Sequence, residues 1–287
     1  MEANSLAAND GNPTKEGALW RLKTALRHRI GYSAKPQILL SACQSSALRL
    51  MKRAASAALF SAPKLRPAHE TRALFVAPHM DDEAIGAGGT AELLRREGSD
   101  MALAFIADCA GTLPDPERNA QIAVVRNAEA ETAADHMAMQ YLGHLGFPTG
   151  TLSRHESAIG KKLAALIIDW KPVTIFVPYP SDGHRDHQAT AAALALALKR
   201  SRWKGEVWCY EVWSPMFPNA AVDISDAADA KRAFIECYAS QLEDVHYVEG
   251  ALGLNSLRGQ SVGVRHAEAF YVTGARGYID LVRQLIA

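Results

Sequence analysis

The chain has 287 residues, of which 48% are hydrophobic and 22% charged, and its formal net charge at pH 7 is +0. This is the composition of a folded globular protein, with no overall basic excess to hold nucleic acid. Its four cysteines, Cys43, Cys109, Cys209 and Cys237, have no CxxC spacing, which speaks against a disulfide framework and for a reducing compartment.

Charge is uneven along the chain. Residues 1–72 hold 12 basic and 4 acidic side chains. Residues 1–16 read as a polar tail with little to bury. Leu19, Leu22, Leu26 and Ile30 then recur at helical spacing among Arg21, Lys23, Arg27 and Arg29, which predicts a basic amphipathic helix. A second helix is expected from about Gln37 to Phe60. These helices either pack on the following domain or dock on an anionic membrane surface or a partner. No apolar run reaches the roughly 18 residues needed to span a bilayer. Pro63 and Pro67 mark a linker, so the expected division is a tail and basic helical extension over 1–70 and a main domain over 71–287.

Beyond the linker, strands and helices alternate. Strands are predicted at Ala73–Ala77, Met101–Ala107, Tyr141–Leu145, Val173–Val177 and Glu206–Val212. Helices are predicted at Ala84–Arg96, Glu117–Met139, Ala158–Trp170 and His187–Lys199. This rhythm predicts an α/β fold with a mostly parallel sheet and helices on both faces.

Two motifs fall where predicted strands end. Pro78-His79-Met80-Asp81-Asp82-Glu83 follows the first strand. His79 and Asp82, three residues apart at the start of a helix, can face the same way. Neutral imidazole and carboxylate are natural zinc ligands. Behind them Gly86-Ala87-Gly88-Gly89 lacks bulk and lets the helix pack close to the sheet; no Gly-Lys-Ser/Thr follows, so this is not a phosphate loop. Asp182-Gly183-His184-Arg185-Asp186-His187 follows the strand Val173–Val177. Two strand ends thus deliver His and Asp to the same edge of one sheet, where open parallel sheets bind ligands.

Together these motifs resemble the LmbE-like (PIG-L) family of N-acetylglucosaminyl deacetylases. The resemblance extends over roughly 72–275, through Arg126 and Glu129, Leu145-Gly146-Phe147-Pro148, Tyr210-Glu211-Val212-Trp213 and Ala267-Glu268-Ala269-Phe270. It implies a Rossmann-like fold and one zinc ion per chain, with Fe²⁺ or Co²⁺ as substitutes. His79, Asp82 and His187 would be ligands, Asp81 the general base, and a protonated His184 the stabiliser of the oxyanion. Asp186 would support a neighbouring histidine and Arg126 would contact substrate. Met80 and Thr149 stand where the family often has Pro and Asp. Asp182, which either lines the entrance or turns the chain, and Asn255 and Arg258, in a polar loop, are further candidate substrate contacts.

The reaction so implied is zinc-dependent hydrolysis of the acetamide of an N-acetylated amino-sugar conjugate. Cleavage of a larger N-acyl group and non-catalytic sugar binding on the same scaffold are the alternatives. The expected location is cytoplasmic, with the basic helices offering a peripheral hold on the inner membrane face.

Overall fold

The computed structural model describes residues 63–69, 71–108, 110, 115–243 and 245–286. The predicted basic helices and Cys43 and Cys109 lie outside these residues. Among the described residues the strands are β1 (Lys64–Leu65), β2 (Arg72–Ala77), β3 (Asp100–Ala107), β4 (Gln140–Phe147), β5 (Thr174–Pro178), β6 (Glu206–Tyr210), β7 (Ala220–Asp223) and β8 (Ala267–Gly274). The helices are α1 (Asp82–Arg96), α2 (Pro116–His136), α3 (Glu156–Trp170), α4 (Arg185–Ser201), α5 (Ala228–Glu236), α6 (Tyr247–Val262) and α7 (Ala275–Ile286).

All eight strands form one sheet in the order β1-β7-β8-β6-β5-β2-β3-β4. The stretch from β6 to β4 is parallel throughout. β8 then runs antiparallel to both β6 and β7, so the sheet is mixed, with parallel strands dominant. β2 is buried along all but its first residue, which is why its sequence is a continuous apolar run rather than an alternating one. Ala73, Phe75 and Ala77 face a core shared with α1, α2, α5 and α6. Leu74 and Val76 face a second core shared with α3, α4 and α7. Helices therefore cover both faces.

The chain order reverses at β2: β3 lies on one side of it and β5 on the other. That switch point opens a crevice beyond the strands' C-terminal ends. The loops carrying the two motifs leave β2 and β5, the two strands that flank it.

α1 packs against the sheet at glycines. A Cβ on Gly86 would lie 2.1 Å from the Tyr210 ring, and one on Gly89 would lie 2.8 Å from Ile224. The helix is also broken internally, at Ala87 (φ −141°, ψ 15°). In an unbroken helix the Gly89 and Thr90 amides would bond the Ile85 and Gly86 carbonyls. Here both donate to Glu268, at 2.8 and 2.7 Å. Lys231 Nζ donates to the freed Ile85 carbonyl and to Glu268, each at 2.6 Å. A fully buried ion pair is thus inserted into the helix ladder, one turn beyond the first motif.

Candidate metal centre and catalytic cleft

The turn after β2 ends in Asp81, the N-cap of α1. Its φ is 127°, a value that non-glycine residues adopt only under strain. An N-cap Asp usually accepts a hydrogen bond from its own helix. Asp81 makes no such bond, so its carboxylate is left for other use. The next residue, Asp82, turns inward. Its Oδ2 accepts from the His79 amide at 2.9 Å and lies 3.3 Å from His79 Nδ1 and 3.2 Å from His187 Nε2. His79 comes from the β2 loop and His187 from the first turn of α4, so the two loops converge on one carboxylate oxygen.

Each of these histidines is backed by a second carboxylate. Asp186 Oδ2 lies 3.0 Å from His79 Nε2 and accepts from the Gly150 amide at 2.6 Å, while Asp186 Oδ1 accepts from the Leu152 amide at 3.1 Å. Asp182 Oδ1 lies 3.2 Å from His187 Nδ1, while Asp182 accepts from the amides of His184, Trp213 and Ser214. Carboxylates behind ligating histidines fix ring orientation and raise ligand basicity. His187 is fully buried, yet neither ring nitrogen has an aligned hydrogen-bond partner; the 3.2 Å contacts to Asp82 and Asp182 are close but off-angle. A buried imidazole in that state calls for a further partner, and a cation among His79, Asp82 and His187 meets that need. One nitrogen from each of His79, His184 and His187 also lies within 4.8 Å of the others.

The electrostatics agree with this grouping. Burial alone would push the His79 pKa down, but hydrogen bonds to Asp186 and Asp82 carry it to about 9. His187 reaches about 10 against the same burial, through the charge of Asp82 and its contact with Asp182. Burial would raise Asp82, but the His187 charge beside it holds it well below the usual carboxylate range. Asp81 goes the other way, raised by burial and by the neighbouring Asp82 and Glu83 charges. A carboxylate of raised basicity beside a metal centre is suited to accepting a proton.

His79, Asp81, Asp82 and His184 line a cavity of about 380 Å³ that also meets Met80, Ile85, Arg126, Thr149, Trp213, Gln241 and Tyr247, within the usual size range of small-molecule sites. The sequence profile described as PIG-L: GlcNAc-PI de-N-acetylase matches residues 74–198, a span containing both loops. The Bacillus cereus protein named probable N-acetyl-alpha-D-glucosaminyl L-malate deacetylase 2 is 30% identical over 199 residues, covering 62% of this chain and 88% of that one. The chain belongs to the PIG-L (LmbE-like) family. The N,N'-diacetylchitobiose deacetylase from Pyrococcus horikoshii shares the fold, with a TM-score of 0.63 at 22% identity over 72% of this chain and 85% of that one. So does the 4-carboxy-2-hydroxymuconate hydratase from Pseudomonas putida, with a TM-score of 0.57 at 19% identity over 70% and 96%. Fold alone therefore does not fix the chemistry, and the reaction must be argued from the site.

Several sequence expectations for this PIG-L chain need correction. Asp182 is not at the cleft entrance but buried behind His187, where three backbone amides hold its carboxylate. Asn255 and Arg258 lie in α6, not in a loop. Arg258 is spent on Glu211 and the Met216 carbonyl, and Asn255 donates to the Ala267 carbonyl; neither lines the metal-side cavity. His184 is held below its ordinary pKa by burial and by His79 and His187, which speaks against the expected cation. Its Nδ1 accepts from the Asp186 amide at 3.2 Å, which leaves Nε2 as the N–H donor. Arg126 reaches the cavity from α2.

Sequence reading missed Gln241 and Tyr247, which arrive from outside both motifs. Gln241 donates to the Met80 carbonyl at 2.6 Å. Its short turn is tied down by Glu129, which accepts from Ser240 N and Oγ at 2.7 and 2.6 Å. Glu83, buried and raised to about 8 by desolvation, bonds Tyr238 and pins the start of α1 from behind. No sequence spacing announces these contacts, since each joins residues more than 100 positions apart.

Proposed function

We propose that this protein is a zinc-dependent N-deacetylase that hydrolyses the acetamide of an N-acetylglucosamine-type sugar or conjugate. One observation carries the reading: His79, Asp82 and His187 converge on a single point, with the uncommitted carboxylate of Asp81 beside them. A pure binding protein needs no such carboxylate. The relatives named as N-acetylglucosaminyl deacetylases support the substrate class.

In this reading His79, Asp82 and His187 hold the ion, with Asp186 and Asp182 fixing the two rings from behind. Two imidazoles and one carboxylate leave room for water and substrate, as in catalytic zinc sites. When bound, zinc supplies Lewis-acid polarisation of the amide carbonyl and lowers the pKa of water beside it. Asp81 accepts the proton of the attacking water. His184 donates its Nε2–H to the oxygen that gains charge as the carbonyl becomes tetrahedral; one such fixed donor is worth roughly 3–4 kcal/mol of barrier. Asp81, now protonated, returns the proton to the amide nitrogen as the C–N bond breaks, releasing acetate and a free amine. Arg126, Thr149 and Gln241 supply polar contacts for sugar hydroxyls.

The test is acetate release from a panel of N-acetylated glucosamine conjugates, with and without a chelator, together with the metal content of the purified protein. Release that persists after complete metal removal, or no release from any conjugate, refutes the proposal.

A further inference from the structure

Beside the metal-side cavity lies a second one of about 210 Å³. The two share Ile85, Trp213 and Tyr247 as a common wall. The residues lining only the metal side include the polar Arg126, Thr149 and Gln241. The far side is lined instead by Val212, Ala251 and Leu254, with other small or apolar groups. Its polar residues include the exposed His246, Glu211, which is committed to Arg258 and to the Met216 amide, and Asn255, whose nitrogen is given to the Ala267 carbonyl and whose buried Oδ1 has no hydrogen-bond partner.

We infer that this second cavity is the subsite for the acyl chain of the substrate, so that the enzyme accepts N-acyl groups longer than acetyl. The inference rests on the amidohydrolase reading above and adds to it the identity of the group removed. An N-acylated amino sugar is polar at one end and hydrocarbon at the other. The two cavities divide the same way, and the apolar wall of Ile85, Trp213 and Tyr247 stands between them. Trp213 links the wall to the reacting centre: its ring stacks 6.3 Å from that of His184, the proposed oxyanion donor, and meets Tyr247 edge-on at 6.0 Å. A chain leaving the carbonyl carbon past Trp213 enters a space equal to roughly seven liquid water volumes, enough for a short hydrocarbon chain. The reaction balances as before: water adds across the C–N bond, giving a medium-chain carboxylate and the amino sugar.

Each methylene moved from water into an apolar site is worth about a fourfold gain in affinity, reduced by the ordering of the chain. The test uses the full-length, zinc-loaded Asp81→Asn variant, in which turnover is blocked, and calorimetry with N-acetyl- and N-hexanoylglucosamine. The expected result is at least tenfold tighter binding of the hexanoyl compound. Ala251→Phe, which puts a ring into the cavity, should reduce that ratio to below threefold; Leu254→Trp serves the same end should the first variant fail to fold. N-hexanoylglucosamine binding no tighter than N-acetylglucosamine overturns the inference. So does a chain-length gain seen only with alkyl glycosides of N-acetylglucosamine, which would place an apolar aglycone there instead. Acetate release by the unmodified enzyme, measured separately, tests the deacetylase reading itself, so the two can fail independently.

Discussion

Replacing Lys231 by Met is expected to be among the most damaging single changes outside the cleft. Lys231 and Glu268 are both fully buried, and the pair occupies the break in α1. Met keeps most of the apolar stem but removes the ammonium. Glu268 then keeps the Gly89 and Thr90 amides but loses its counter-charge, and the Ile85 carbonyl loses its donor. Breaking a buried pair by removing one partner costs about 3–5 kcal/mol, against a total stability of roughly 5–15 kcal/mol. For a domain of this size each kcal/mol moves the melting temperature by roughly 2–4 °C, so a fall on the order of 10 °C is expected. Urea and thermal unfolding of Lys231→Met, Glu268→Gln and the double variant would measure it. The double variant should be less destabilised than the sum of the two single changes, because it leaves no uncompensated buried charge. A loss below about 1 kcal/mol for Lys231→Met, or simple additivity of the two changes, would refute the assignment of the pair as the element that holds the break.

Four further outcomes follow from the site. Asp81→Asn should retain its metal while turnover falls roughly 10²- to 10⁴-fold; a parental rate would remove Asp81 as the base. Asp182→Ala should weaken metal affinity roughly 10- to 100-fold by loosening His187, and an unchanged metal content after dialysis would show that Asp182 does not support the ligand. In the metal-free protein the folded-state pKa values of about 9 for His79 and about 10 for His187 exceed the unfolded value of about 6.5. The stability these two protonated rings contribute is therefore complete below about pH 6.5 and lost as pH rises through 9 and 10. Since ligating imidazoles are neutral, zinc uptake near neutral pH should release protons; an uptake enthalpy independent of buffer ionisation would contradict this.

The fold was legible where the apolar pattern was strong. The apolar run of β2 and the short Ile175–Val177 run at β5 announced buried parallel strands, and the helices between them appeared within a few residues of their observed bounds. The last third was not legible. β7 and β8 escaped sequence reading, because nothing local marks Ala220–Asp223 as a partner of Ala267–Gly274.

The site divides along the same line. The His-x-x-Asp spacing of the first motif and the His184-to-His187 stretch at the second strand end point to metal ligands without any coordinates, because ligand chemistry and strand-end position are local properties. Which carboxylate backs which histidine is not local. Asp182 reads as a loop residue until β5 and β6 come together and bring the Trp213 and Ser214 amides to its carboxylate. Asn255 and Arg258 read as free polar groups until α6 packs on β8 and Glu211. The chain's chemistry was written in its side-chain types and their order; their roles were decided by long-range packing, which alone determines whether a polar atom meets a partner, a cavity or another charge.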